Sequence, residues 1–297
     1  MNLKTSLAGV LLLLPALAFG QSGDVMSASA WLSSSGQTAA SGGGGCNADS
    51  ETACVDWENG LAFAPGQGAP ASWATAPGQK NLTAQKAAKI DAARNILELI
   101  KGIALTSATT LQGSMTASDT VRTTVEGRLQ GLRQVGKPKY FSDGTIQVKV
   151  EARLREVVPG ELLAPEGAPK SWGAPKGDAG AAAQVSYTGL ILDARGAGVS
   201  PAMSPRILDP KGEEVYSAAY VSREFALQQG VVGYAKDPKK AVDSDRVKGN
   251  PMVIKVTGNS GTNHADIVIS QAAADTLRAV GQKQNFLREC RVLVILD

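Results

Sequence analysis

The sequence predicts an α+β protein built as two units: a helix packed on an antiparallel sheet in the first domain, followed by a second α+β domain. Three observations carry this expectation. In DAARNILELIKG, residues 91–102, Ala93, Ile96, Leu97 and Ile100 recur at helical spacing, while Asp91, Arg94, Asn95, Glu98 and Lys101 fall opposite. In DGTIQVKVEARL, residues 143–154, Ile146, Val148, Val150, Ala152 and Leu154 alternate with polar residues, as a strand with one buried face demands. Between 158 and 184 the chain turns to Pro, Gly and Ala, and a second mixture of strand and helix patterns follows.

Taken in chain order, residues 1–20 have the layout of a signal peptide. Lys4 precedes the apolar run 7–14, Pro15 interrupts it, and Ala16 and Ala18 are the small residues a signal peptidase reads. Cleavage after Ala18 or Gly20 leaves Phe19 or Gln21 first, so no cysteine stands ready for lipid attachment. The run is short for a permanent span, and no later segment approaches the roughly 20 apolar residues that spanning needs. The expected location is periplasmic or extracellular, with no transmembrane segment in the mature chain.

Residues 21–54 read as a flexible leader of Ser, Gly and Ala with a cysteine pair at its end, in CNADSETAC. Cys46 and Cys54 are close enough for a disulfide across a short loop, and that spacing in an exported chain favours one. Loop-closure entropy then contributes about 2.5 kcal/mol. A zinc site fits less well, because the spacing is too wide and no histidine is near. Cys290, in the apolar C-terminal run, reads as a buried small residue, with a free thiol or an intermolecular bridge as the alternative.

Residues 55–157 make the first domain. A short strand and a Gly/Pro loop lead into a helix expected from Thr83 to Gly102, with Ala84, Ala87, Ala88 and Ala92 small enough to admit a close neighbour. Residues 121–130 (VRTTVEGRLQ) alternate and read as a strand with a bulge near Gly131. Asp143-Gly144 is the turn before the second arm. The glycines of 55–73 make no phosphate cradle, since no Lys-Ser/Thr follows them.

The ordered blocks VDWENGLAFAPGQGAP, AAKIDAARNILELIKGIAL, VRTTVEGRLQGLRQV and DGTIQVKVEARL resemble the small bacterial outer-membrane lipoprotein family that includes flagellar basal-disk and flagellar assembly proteins. The resemblance covers about 55–157 and implies a non-enzymatic structural component of the envelope. The missing lipidation cysteine makes this chain more like soluble assembly proteins than anchored ones.

Residues 158–184 read as a Pro/Gly/Ala linker. In the C-terminal domain, 185–297, strands are expected at VSYTGLILD, on both sides of the turn Asp209-Pro210-Lys211-Gly212, at PMVIKVTG, at ADIVIS and at the terminal RVLVILD. Ser222 and Ser270 mark helix starts; Gly230 and Gly281 mark helix ends.

A search for chemistry finds little. His264 is the single histidine, beside Asp266 in a loop, and no nucleophile elbow exists for it to serve. Glu213 and Glu214 read as solvent-facing, and Asp193 with Arg195 as strand-end polar residues with an outside chance of binding an anion. Removing Lys4 from 30 basic and 27 acidic residues leaves 29 against 27, interspersed, which excludes a nucleic-acid footprint. The small basic clusters Lys137, Lys139 and 236–240 read as solvated loops, with contact to an acidic partner as the alternative. No catalytic, cofactor or metal residue is expected. The function expected is a non-catalytic, exported cell-envelope scaffold or assembly component, outer-membrane or flagellum associated, that binds envelope proteins or itself through an open sheet edge. The alternative is a periplasmic binding module recognising a glycan or peptide through the C-terminal domain.

Overall fold

The computed structural model describes residues 24–34, 46–177, 179 and 181–297. The expected signal peptide and the glycine run 42–45 lie outside them. The mixed α+β class is as the sequence indicates.

Residues 24–34, expected as loose leader, are built into the C-terminal domain. β1 (Val25–Ser27) pairs antiparallel with β10 (Pro251–Lys255), and α1 (Ala28–Ser34) follows it. The reason is apolar: Val25, Ala28 and Trp31 are all buried against the sheet.

The first domain is a four-stranded antiparallel sheet crossed by one long helix. The strands are β2 (Cys54–Asp56), β3 (Leu61–Gly68), β4 (Arg133–Tyr140) and β5 (Ile146–Arg153), in the order β2-β3-β5-β4. α2 (Pro77–Lys101) lies so close to β3 that a Cβ on Gly66 would sit 2.1 Å from the Ala92 nitrogen, and one on Gly68 2.3 Å from the Ala84 oxygen. Ala84, Ala88 and Ala92 form the matching stripe on the helix, fully buried. Farther along, Ile96 and Ile100 pack over the face of β5 that carries Val148 and Val150. Full burial of each isoleucine contributes about 1.5–3 kcal/mol. β2 pairs only with Leu61–Phe63 of β3, and α2 serves the uncovered stretch: Asp91 accepts from the Gln67 amide at 3.0 Å and Asn95 donates to the Pro65 carbonyl at 2.8 Å.

Three local expectations are corrected. α2 begins at Pro77, well before Thr83, because proline at the first helical position has its φ preset; the Thr83 hydroxyl instead accepts from the Ala71 amide. Residues 121–130 are helical. After α3 (Leu111–Ala117), α4 (Asp119–Arg128) is capped by Ser118, whose hydroxyl accepts from the Val121 amide. Its buried Val121 and Val125 and the Leu129 that caps its end are four apart, a helical spacing that also satisfies strict alternation. The sheet irregularity lies between Val135 and Lys139, around Gly136 and Pro138, not at Gly131.

Two short helices, α5 (Leu154–Val157) and α6 (Gly160–Leu163), lead out of the domain. Residues 158–184 are then no free linker. The Trp172 indole donates to the Val215 carbonyl, the Lys176 amide donates to Asp275, and Trp172 is buried. This segment covers the outer side of α9 (Gln271–Lys283), which is why polar Asp275, Thr276 and Arg278 of that helix are buried too. Gly281 does not end α9; its bare surface seats the Trp172 ring, which a Cβ there would meet at 2.5 Å.

The C-terminal domain holds β6 (Gly189–Asp193), β7 (Ile207–Leu208), β8 (Glu214–Tyr216), α7 (Arg223–Gln229), β9 (Gly233–Ala235), α8 (Pro238–Asp243), β10, β11 (Gly258–Ser260), β12 (Asp266–Val268), α9 and β13 (Val292–Ile295). The main sheet runs β1-β10-β6-β13-β9, parallel except for β1, and the smaller one runs β11-β12-β7-β8. β6 and β13 are buried along their whole length, as parallel strands covered on both faces must be. Leu190, Leu192, Val292 and Val294 join the core beneath α9, whereas Ile191, Leu293 and Ile295 meet Trp31 and Ala241 of α1 and α8.

Candidate functional site

The two domains meet end-on. The C-terminal end of α2 runs into residues 103–110, and there the Met203 and Ser204 amides donate to the Ala104 and Leu105 carbonyls at 2.9 and 2.8 Å. Behind them lies a partly buried ionic cluster. Asp266 accepts from Arg206 Nε at 3.0 Å and from the Ser107 hydroxyl at 2.6 Å, and Ser107 comes from the other domain. Gly261 has φ +82°, and a Cβ there would collide with Ser107 at 2.3 Å, so glycine is needed for conformation and closeness alike.

Beside this junction is a cleft of about 430 Å³ lined by Trp57 and Arg155 from the first domain and by Tyr234, Lys240, Ser244 and Arg246 from the second. Trp57 packs edge-on to Tyr234, with ring centres 5.6 Å apart. The Tyr234 hydroxyl donates to the Ala202 carbonyl at 2.7 Å and accepts from its amide at 2.9 Å; burial raises its ionisation well beyond the usual phenol range. Among the described residues Arg246 is paired with no carboxylate. It donates to the carbonyls of Gln229, Cys290 and Val292, and burial lowers its pKa. Arg155 donates to the Gln228 carbonyl across the junction. Against these cations and Lys240 the cleft has one acid, Glu58, so its chemistry suits an anionic or polar ligand with an apolar side for Trp57.

The residues singled out from sequence fall elsewhere. His264, with φ +53°, bonds Asn259 through Nδ1 at 2.9 Å, and Asp266 faces Arg206 and Ser107 instead of the imidazole. Arg195 makes a bidentate bond to Asp193 at 2.8 and 2.9 Å, and the Trp31 indole donates to the same carboxylate at 3.0 Å. Burial would raise the Asp193 pKa, but these bonds and the charges of Arg195 and Lys255 outweigh it and hold it down at about 2. That guanidinium is committed within the fold. Glu213 is exposed, as expected, and pairs at the surface with Lys176, standing 3.8 Å from Arg278. Glu214 accepts from Ser217. Cys46 and Cys54 form the disulfide, and Cys290 is free and buried, its thiol pushed up to about 12 by desolvation. Lys240 reaches the cleft; Lys137 and Lys139 are far from it, on the hairpin.

Sequence reasoning missed Arg206 and Arg246, which lie in ordinary-looking stretches; only the position of an acid from a distant strand, or its lack, marks them. Trp57 carried a weak signal, an aromatic in a Gly-rich loop.

The geometry defines a two-domain α+β protein with a cationic cleft at its junction. A protein-family model described as Treponema pallidum Tp0624, second domain, matches residues 189–297, from the first residue of β6 to the end of β13 and the last two residues. The C-terminal domain is therefore similar to a bacterial domain family over about a third of the chain. No curated protein matches the chain.

Proposed function

We propose that this protein is a non-catalytic, exported component of the bacterial cell envelope that acts as a scaffold or assembly part, as the resemblance of residues 55–157 to outer-membrane and flagellar assembly proteins implies. The observation that carries this reading is the junction. Ser107 of the first domain bonds both Asp266 and Arg206 of the second, so this polar cluster is spent on holding one domain to the other, which suits a part whose task is to present surfaces at a set angle. β4 supplies an open sheet edge, blunted by Lys137, Pro138 and Lys139. The strand β5, where the alternation is strongest, is interior and not available for pairing.

The test is to cross-link the tagged chain mildly in the envelope and identify what it carries, while measuring its mass in solution across concentration. Recovery of structural envelope proteins, or a concentration-dependent oligomer, supports the reading. A strict monomer that recovers neither rejects it.

A second reading has its own observation: Trp57, Lys240 and Arg246 give the junction cleft an aromatic wall and excess positive charge, so the protein binds an acidic glycan or peptide there. Titration with such ligands, followed by protection of the cleft amides, separates this from the scaffold reading.

A further inference from the structure

The free end of the first domain concentrates exposed apolar side chains. Of the seven large ones exposed among the described residues, four sit there: Leu82 at 70%, Trp73 at 69%, Tyr140 at 61% and Phe141 at 45%. Direct contacts tie them into one surface. Gln85, one turn beyond Leu82 on α2, donates to the Tyr140 hydroxyl at 3.1 Å. The Ala71 amide in the Trp73 loop bonds Thr83, and Gly144 at the hairpin tip abuts Pro70. This end lies opposite the junction, which is reached by the other ends of β3, β5 and α2. The eight residues of β5 put about 25 Å between the two.

The surface is also cationic. Residues 59–90 contain Lys80, Lys86 and Lys89 and no acid. Lys80, Lys86 and Lys137 are exposed with no acidic partner among the described residues. Lys139 is paired with Glu51, and the acids nearby that make no ion pair among the described residues are Asp143 in the turn and Asp49, which lies by Lys149. Ringed tryptophan, tyrosine and phenylalanine among lysines is the composition that settles at the headgroup level of a bilayer, where the rings enter the interface and the ammonium groups meet phosphate.

We infer that this end of the first domain docks peripherally on an anionic phospholipid surface, with Trp73 and Phe141 inserted and Lys80, Lys86 and Lys137 on the headgroups. The inference rests on the exported-component reading for its location but not on scaffold assembly: a monomer that binds vesicles leaves it standing, and an oligomer that ignores vesicles refutes it alone.

The test uses the exported chain and vesicles of phosphatidylcholine with or without phosphatidylglycerol. Sedimentation with the anionic vesicles is expected, weakened by salt. Trp73 is the tryptophan exposed enough to report insertion, as a blue shift of emission that Trp73→Ser removes. At about fivefold per lysine near the surface, Lys80→Glu, Lys86→Glu and Lys137→Glu together reduce partition by at least a hundredfold or so. All four substituted positions are exposed, so thermal melts should coincide with that of the parent chain. Absence of vesicle binding, equal binding to vesicles lacking phosphatidylglycerol, or binding indifferent to these substitutions overturns the inference. So does capture of a protein or of peptidoglycan through the same residues while vesicles are ignored.

Discussion

Replacing Trp31 by alanine should release residues 24–34 from the C-terminal domain instead of leaving a hole beneath them. The indole is 3% exposed, donates to Asp193 at 3.0 Å and lies under the Arg195 guanidinium at 5.6 Å. Truncating a buried tryptophan costs about 3–5 kcal/mol if the surroundings hold still. They have little reason to. α1 has seven residues, below the roughly 12–15 an isolated helix needs, so it persists only by docking. The remaining anchors include Val25, Ala28, the half-buried Met26 and Leu32, and a three-residue ladder to β10, and a buried valine supplies only about 1.5–3 kcal/mol. The loss in global stability is thus capped at the docking energy of the segment. Release uncovers the edge of β10, whose Met252, Val253 and Ile254 are apolar and buried, so self-association should rise. Hydrogen exchange on amides 25–34, urea melts and light scattering read the three effects. Trp31→Phe should cost only about 1 kcal/mol, because Asp193 keeps Arg195 and Lys255. Unchanged exchange protection over 25–34 in the alanine variant, with a urea midpoint equal to that of the parent, would refute the reasoning.

Gly66→Ala should destabilise by about 3 kcal/mol or more in urea melts, because its Cβ meets helix backbone that cannot swing aside, while Gly78→Ala, with open space around it, should be neutral or gain up to about 1 kcal/mol. Arg206→Met leaves the buried Asp266 carboxylate with Ser107 alone and should cost roughly 2–4 kcal/mol, less than for a fully buried pair since Arg206 is 42% exposed; urea unfolding measures it, and Asp266→Asn in the same chain should recover part of the loss. Asp193 is held below its unfolded pKa of 3.8, at about 2, so the stability it contributes, on the order of 2 kcal/mol, is present above pH 4 and lost as pH falls towards 2. Asp209 is shifted in the same direction and adds to the slope, and Asp193→Asn should flatten the acid limb of the stability profile. Cys290 should resist a thiol reagent at pH 8 in the folded protein and react once urea unfolds it, since burial keeps it protonated and out of reach.

Much of the fold is local and therefore legible. The alternation of 146–154, the apolar runs at β6 and β13, the Asp143-Gly144 turn and the Ser270 cap each follow from the periodicity or hydrogen-bonding habits of a few neighbouring residues. The Cys46–Cys54 disulfide is of the same kind, set by a short separation. Residues 121–130 failed for a reason that is equally local: apolar residues four apart satisfy periods of two and 3.6 together, and the Ser118 cap was the signal that distinguishes them.

The sequence by itself determined the α+β class, the helices α2, α7 and α9, the strands β5, β6 and β13, the disulfide and the small-residue stripe on α2. It could do so because propensity, period and turn chemistry act over a few residues. What the stripe meets, which strands are parallel, and which loose-looking segments are load-carrying were decided by tertiary structure. Gly66 and Gly68 matter because α2 lies on them, Gly281 because Trp172 does, and 24–34 and 158–184 are ordered because surfaces formed by distant residues offer them apolar cover and hydrogen bonds. The same holds for the junction: Arg206 and Arg246 are unremarked in a one-dimensional reading, and whether a charge is paired with Asp266 or only with backbone carbonyls depends on contacts across long stretches of chain, which no local pattern encodes.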